Sequence, residues 1–161
     1  MAIALIGIGS NLGDRRTHLQ FAREQLSQLP GTTLHAFSQI YETAPVGPVE
    51  QGMFLNAAAK VETSLSPRDL LTALQSIEQQ AGRASRAERV HWGPRELDMD
   101  ILFYDQQVLK EDDLTIPHPQ LHKRWFVLKP LADIAPDFEH PVMHKTVDQL
   151  LYSVEHRCDL R

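Results

Sequence analysis

A single cysteine, Cys158, stands among the 161 residues. That excludes a disulfide framework, a thiolate metal cluster and a dithiol redox pair. A basic excess is also missing: 16 Lys and Arg stand against 21 Asp and Glu, a formal charge of −5. Duplex-binding modules depend on such an excess, so general nucleic-acid binding is not expected and any positive patch must be local. The apolar run over residues 1–8 is too short to cross a bilayer. It also lacks the basic start and small-residue cleavage site of a signal peptide. A cytoplasmic protein with no membrane partner is expected. Glycine-rich phosphate loops are absent too. Gly7-Ile8-Gly9-Ser10-Asn11-Leu12 has no third glycine of a dinucleotide fingerprint, and no Gly-Lys-Ser/Thr occurs. These glycines read as a tight strand-to-helix turn. No repeat or low-complexity tract divides the chain, so one domain over residues 1–161 is expected.

What is present alternates between strand and helix. Residues 2–8 form a continuous apolar run ending at Gly9, as in a strand covered on both faces. Residues 15–29 carry Leu19, Ala22, Leu26 and Leu29 on one helical stripe, stopped by Pro30-Gly31. Residues 34–43 alternate as a strand, with Leu34, Ala36, Ser38 and Ile40 on one face. Residues 54–63 form another, with Leu55, Ala57, Ala59 and Val61 inward and Phe54 and Asn56 opposite. Ser66-Pro67-Arg68-Asp69 starts a helix whose stripe is Leu70, Leu74, Ile77 and Ala81. Residues 83–95 lack periodicity. A strand follows at 97–103 and a short one is expected at 106–110. Residues 120–135 read as a helix interrupted at Pro130, and 146–154 as a closing helix. The order predicts an α+β fold: a ferredoxin-like split βαβ core with a mainly antiparallel sheet and a C-terminal helical extension.

The most informative stretch is Leu97-Asp98-Met99-Asp100-Ile101-Leu102-Phe103. On an extended chain Asp98 and Asp100 share one face, and Leu97, Met99, Ile101 and Phe103 share the other. Two like charges side by side raise the cost of ionising each other. A hard cation removes that cost, and such oxygen sites suit Mg²⁺. Ordinary carboxylates at a solvent edge are the alternative, against which stand the apolar run and the arginines nearby. Arg83, Arg86, Arg89 and Arg95 crowd a short segment of an acidic chain. They are either a solvated charge run or forks for phosphate oxygens on a closing loop. Asn56 offers donor and acceptor together and Phe54 a stacking surface, although taken alone both read as ordinary core residues. His118 with Arg124 makes a pair of phosphate-facing donors. Pro117 and Pro119 argue against a helical zinc pair of His118 with His122.

Gly9-Ser10-Asn11-Leu12-Gly13, Tyr41-Glu42-Thr43-Ala44-Pro45-Val46-Gly47, Phe54-Leu55-Asn56-Ala57, Trp92-Gly93-Pro94-Arg95-Glu96-Leu97-Asp98-Met99-Asp100 and Pro117-His118-Pro119 come in order along the chain. Together they resemble the 6-hydroxymethyl-7,8-dihydropterin pyrophosphokinases of folate biosynthesis across nearly its whole length. The resemblance implies transfer of the β,γ-diphosphate of ATP to the pterin hydroxymethyl group, with release of AMP. It implies that Asp98 and Asp100 hold two Mg²⁺ ions. It places Gln75, Glu78, Trp92, Thr115, His118 and Arg124 along ATP. Thr43, Ala44, Pro45, Val46, Phe54, Asn56 and Phe126 would contact the pterin, Phe54 standing where some members have tyrosine. Arg83 and Arg95, with Trp92, would belong to a catalytic loop. Its partners would be the two substrates only, and a monomer is expected.

Overall fold

The computed structural model describes residues 1–43, 53–82 and 96–156. β1 (Ala2–Ser10) leads into α1 (Arg15–Gln28), β2 (Thr32–Phe37), β3 (Tyr41–Thr43) and β4 (Phe54–Thr63). α2 (Pro67–Gly82) and β5 (Asp98–Tyr104) follow. A hairpin of β6 (Leu109–Glu111) and β7 (Leu114–Ile116) precedes a 3-10 turn (Leu121–Lys123), α3 (Trp125–Ile134) and α4 (Val147–Glu155). The main sheet runs β2-β4-β1-β5, with β3 also paired to β4, and every pairing in it is antiparallel. β1-α1-β2 and β4-α2-β5 are two interleaved βαβ units, so the ferredoxin-like arrangement read from the sequence is the observed one.

Each sheet face carries its own core. Leu19, Ala22 and Leu26 of α1 and Leu70, Leu74 and Ile77 of α2 cover one face, against Ala4, Ile6, Ile8, Val61, Met99 and Ile101. Leu128 and Leu131 of α3 and Leu150 and Leu151 of α4 cover part of the other, against Leu5, Ala58, Leu102 and Phe103. Local caps agree with the sequence. Ser66 Oγ accepts the Asp69 N–H at 3.1 Å ahead of Pro67, and Thr146 and Gln149 form a reciprocal capping box on α4.

Four expectations are corrected. The strand expected over 34–43 is two strands, Thr32–Phe37 and Tyr41–Thr43, and within the first the register against β4 shifts between Leu34 and Ala36. Leu34 and Phe37 therefore share the first core. Ser38 then turns inward, giving its N–H to the Ala58 carbonyl and accepting the Ala58 N–H on Oγ. A second register shift in β5, opposite Leu5 and Ile6, turns Phe103 away from Met99 and into the second core. Residues 105–106 form a turn, with Asp105 at φ 47°, so the next strand starts at Leu109. The helix expected over 120–135 is a 3-10 turn followed by α3, which continues through the buried Pro130. The missing proline N–H leaves the Phe126 carbonyl without its helical donor.

Candidate active site

β1 runs unbroken to Ser10, so Gly7 and Gly9 lie inside a central strand rather than in a turn. Directly opposed residues of antiparallel strands share a face. The pairings therefore set Tyr41, Asn56, Gly9 and Asp98 in one row across β3, β4, β1 and β5. Ala58, Gly7 and Asp100 form the next row, and Thr43 pairs with Phe54 beyond the first. With no side chain on Gly9, a strip of backbone, buried and bordered by the Asn56 carboxamide and the Phe54 ring, lies between Asn56 and the Asp98 carboxylate. At about 4.8 Å between strands that strip is roughly 10 Å across. The place of Gly7 is filled differently: a Cβ there would touch the Leu102 side chain at 3.3 Å.

The two acids occupy the expected face. Leu97, Met99 and Ile101 are buried in the first core, while Asp98 and Asp100 alternate with them and remain partly exposed. No group of three or more His, Cys, Asp or Glu side chains among the described residues is arranged to hold a metal. Two carboxylates are what Mg²⁺ commonly takes from a protein when phosphate oxygens and water complete its shell. The donor set therefore fits a nucleotide-bridging magnesium and does not fit an all-protein cage.

His118 closes the acidic end. Its N–H donates to the Leu102 carbonyl on the outer edge of β5 at 3.0 Å. Its Nδ1 accepts the Gln120 N–H at 3.1 Å, so the neutral ring carries its proton on Nε2. Burial pushes its pKa down to about 4. The Arg124 charge acts in the same direction and the Asp98 charge opposes it. His118, Arg124 and Asp98 thus form one electrostatic cluster. Arg124 also caps α3, with its guanidinium 5.7 Å from the Phe126 ring centre.

At the other end, Asn56 Nδ2 donates to Thr43 Oγ1 at 2.6 Å. Phe54 and Phe126 are half-buried and, among the described residues, belong to neither core. α3 is fixed beside this end by two contacts no sequence pattern announced. The Tyr41 hydroxyl donates to the Asp133 carboxylate at 2.8 Å, and the Trp125 ring meets Tyr41 edge-on at 6.0 Å. Gln75 on α2 and Thr115 on β7 are half-buried on elements that pack against β5. Glu78 is buried, and its Oε2 accepts the Met99 N–H at 2.7 Å. Ala44, Pro45, Val46, Arg83, Trp92 and Arg95 lie outside the described residues. Gly9 was not singled out from the sequence, although two glycines spaced by two on a strand leave one face without side chains of their own.

Comparison with known proteins follows this geometry. The family described as 7,8-dihydro-6-hydroxymethylpterin-pyrophosphokinase (HPPK) matches residues 5–136. The chain is 43% identical over 147 residues to a 2-amino-4-hydroxy-6-hydroxymethyldihydropteridine pyrophosphokinase of Bacillus subtilis, covering 91% of this chain and 86% of that protein. It is 44% identical over 136 residues to the protein of the same name from Pseudomonas aeruginosa, covering 84% and 82%. Among solved structures, Plasmodium falciparum HPPK-DHPS superposes with a TM-score of 0.77 at 16% identity, over 99% of this chain and 46% of that one. The chain thus spans about half of that longer protein, and this likeness concerns the fold alone.

Proposed function

The chain belongs to the 7,8-dihydro-6-hydroxymethylpterin-pyrophosphokinase family, and we propose that its glycine-floored sheet face carries out the diphosphoryl transfer this membership implies. ATP and 6-hydroxymethyl-7,8-dihydropterin are the substrates. The hydroxymethyl oxygen attacks the β-phosphorus, and the bond from that phosphorus to the α,β-bridging oxygen breaks. The hydroxyl proton leaves, and AMP and the pterin diphosphate result. The observation that carries the reading is the row Asn56–Gly9–Asp98, which puts an amide and a carboxylate on the same sheet face, one on either side of a residue with no side chain.

Asn56, oriented by Thr43, reads the polar edge of the pterin, while Phe54 and Phe126 supply stacking surfaces. The family membership also assigns Ala44, Pro45 and Val46 to pterin contacts. Asp98 and Asp100 would hold two Mg²⁺ ions, which supply charge neutralisation to the triphosphate when bound. His118 donates from Nε2, and Arg124 adds a fixed positive charge beside it. By the same membership Gln75, Thr115 and Trp92 are assigned to the nucleotide, and Arg83 and Arg95 to the transferring group. Phosphoryl transfer is served mainly by alignment and by neutralised oxygens, so no protein nucleophile is required. All assigned residues lie on one chain, which supports a monomeric catalytic unit of one domain. Among the described residues no helix is long and apolar enough to cross a membrane.

The deciding experiment supplies ATP labelled separately at its β- and γ-phosphates, with the dihydropterin and MgCl₂. Both labels are expected in the pterin product, with one AMP released per turnover and no activity after chelation. Transfer of the γ-label alone, with ADP as the product, would overturn the reaction.

A further inference from the structure

Among the described residues Glu78 is the one buried carboxylate, 7% exposed in the interface between α2 and β5. Removing a carboxylate from water is costly, so its surroundings must hold it strongly. One of its bonds is unusual in its target. Oε2 accepts the backbone N–H of Met99 at 2.7 Å, a charge-assisted length. Met99 is the residue between Asp98 and Asp100. β5 is the outermost strand of the sheet, bonded to β1 on its inner side only. The Met99 N–H thus belongs to an edge that, among the described residues, no further strand steadies.

We propose that Glu78 is a positioning residue for the acidic pair. By gripping the backbone between Asp98 and Asp100, it fixes the angle at which both side chains leave the strand, and hence their joint aim at a nucleotide-bound cation. It acts through the strand, a role separate from the nucleotide contact that family resemblance implies. The inference rests on the reading of Asp98 and Asp100 as magnesium ligands, and its test keeps the two apart.

Two substitutions in the full chain divide the possibilities. Glu78→Gln keeps the reach of the acceptor and loses its charge; Glu78→Asp keeps the charge and, one methylene shorter, loses the reach. The probe is a nonhydrolysable α,β-methylene ATP analogue, titrated by calorimetry across Mg²⁺ concentrations and again without metal. Loss of an outer-shell partner commonly weakens metal binding by about 10–100-fold. Glu78→Asp is therefore expected to raise the half-saturating Mg²⁺ concentration by about tenfold or more. Glu78→Gln should stay within about threefold of the parent, below the effect of a lost outer-shell partner. A direct contact of Glu78 with the nucleotide would instead show as an equal loss of metal-free analogue binding in both variants. Hydrogen exchange at the Met99 amide should accelerate in Glu78→Asp and remain slow in Glu78→Gln. The reverse order of the two variants, an unmoved Mg²⁺ requirement in Glu78→Asp, or an equal loss of metal-free binding in both would overturn the proposal. Asp98→Ala serves as the reference. If it leaves the Mg²⁺ requirement unchanged, the magnesium reading itself fails; if it abolishes metal dependence while Glu78→Asp does nothing, the Glu78 proposal alone fails.

Discussion

Replacing Gly9 with alanine probes the site with one carbon atom. A Cβ built on Gly9 meets Asn56 Oδ1 at 3.2 Å and Phe54 Cδ1 at 3.6 Å. The first distance is tight, and the Asn56 amide is tied to Thr43 at 2.6 Å, so it cannot swing aside without breaking that bond. The methyl also stands about 1.5 Å above the strand, in the strip proposed to receive the pterin ring. A ring lifted by roughly 0.5–1 Å forfeits a quarter to a half of its dispersion contact with the floor. Adding the disturbed Asn56 bonds, the expected loss is about 1.4–2.8 kcal/mol, or roughly 10–100-fold in pterin affinity. Gly9 lies in an extended strand that alanine readily adopts, and the tight approach to Asn56 offsets that conformational gain, so stability should stay within about 1 kcal/mol of the parent. Calorimetry with the pterin on enzyme preloaded with the nonhydrolysable nucleotide measures the first quantity, and thermal unfolding the second. Binding of the nucleotide alone should be unaffected. Pterin affinity within about twofold of the parent would refute the glycine floor, because such a change is smaller than one lost hydrogen bond.

The other predictions concern the acids, the histidine and a distant turn. Asp98→Ala and Asp100→Ala should each lower turnover by about a thousandfold or more. Both variants should keep a parental unfolding midpoint in calorimetry, since the two side chains lie outside both cores. In the unliganded protein His118 titrates near 4, below its ordinary value of 6.5. The unfolded chain therefore binds more protons between these values, and this contribution to stability, full above pH 6.5, is lost as pH falls through 4. Its size is at most about 3 kcal/mol, reduced by partial exposure; His118→Gln should flatten the acid limb of denaturant midpoint against pH. A triphosphate beside the ring should raise this pKa, so ATP binding near pH 5.5 should take up a proton, measurable by calorimetry in buffers of different ionisation enthalpy. Gly31→Ala should cost about 1–2 kcal/mol with unchanged kinetics, because Gly31 has φ +68° and a Cβ there would collide with Ser64 Oγ.

The path of the chain was legible wherever one periodicity ran unbroken. β4 begins and ends at the residues its alternation marks, and α2 starts at the cap that Ser66-Pro67 announces. Two of the errors fell at bulges. An extra residue in β2 and another in β5 each exchange the two faces of a strand, and alternation read from composition carries no sign of it. Within the proposed site, Asp98 and Asp100 stood out because charged groups interrupt an apolar strand, whereas Asn56 by itself read as an ordinary core residue and entered through the family resemblance. Gly9 did not stand out, since glycine in a loop and glycine in a floor look alike until the partner strands are known. Tyr41 and Asp133 lie 92 residues apart in sequence; nothing local in either segment points to the other.

The location of the site follows from how the second sheet face is covered. α3 and α4 bury its lower part over Leu5, Ala58, Leu102 and Phe103. Toward the ends of β1 and β5 that cover gives way to Gly9, Asn56, Asp98 and Asp100. Had apolar residues continued along these strands, the uncovered face would expose a contiguous hydrophobic patch, a surface prone to association. Polar residues there avoid that, but only if their own demands are met in the absence of substrate. Asn56 is bonded to Thr43, His118 is kept neutral with its Nδ1 occupied by Gln120, and the Met99 edge is taken by Glu78. The unliganded face is thereby already set: the groups that would meet substrate are held by bonds to the scaffold, and binding need not organise them. Loosening any of these supports should weaken substrate binding more than it weakens the fold, the reverse of what a change in either hydrophobic core would do.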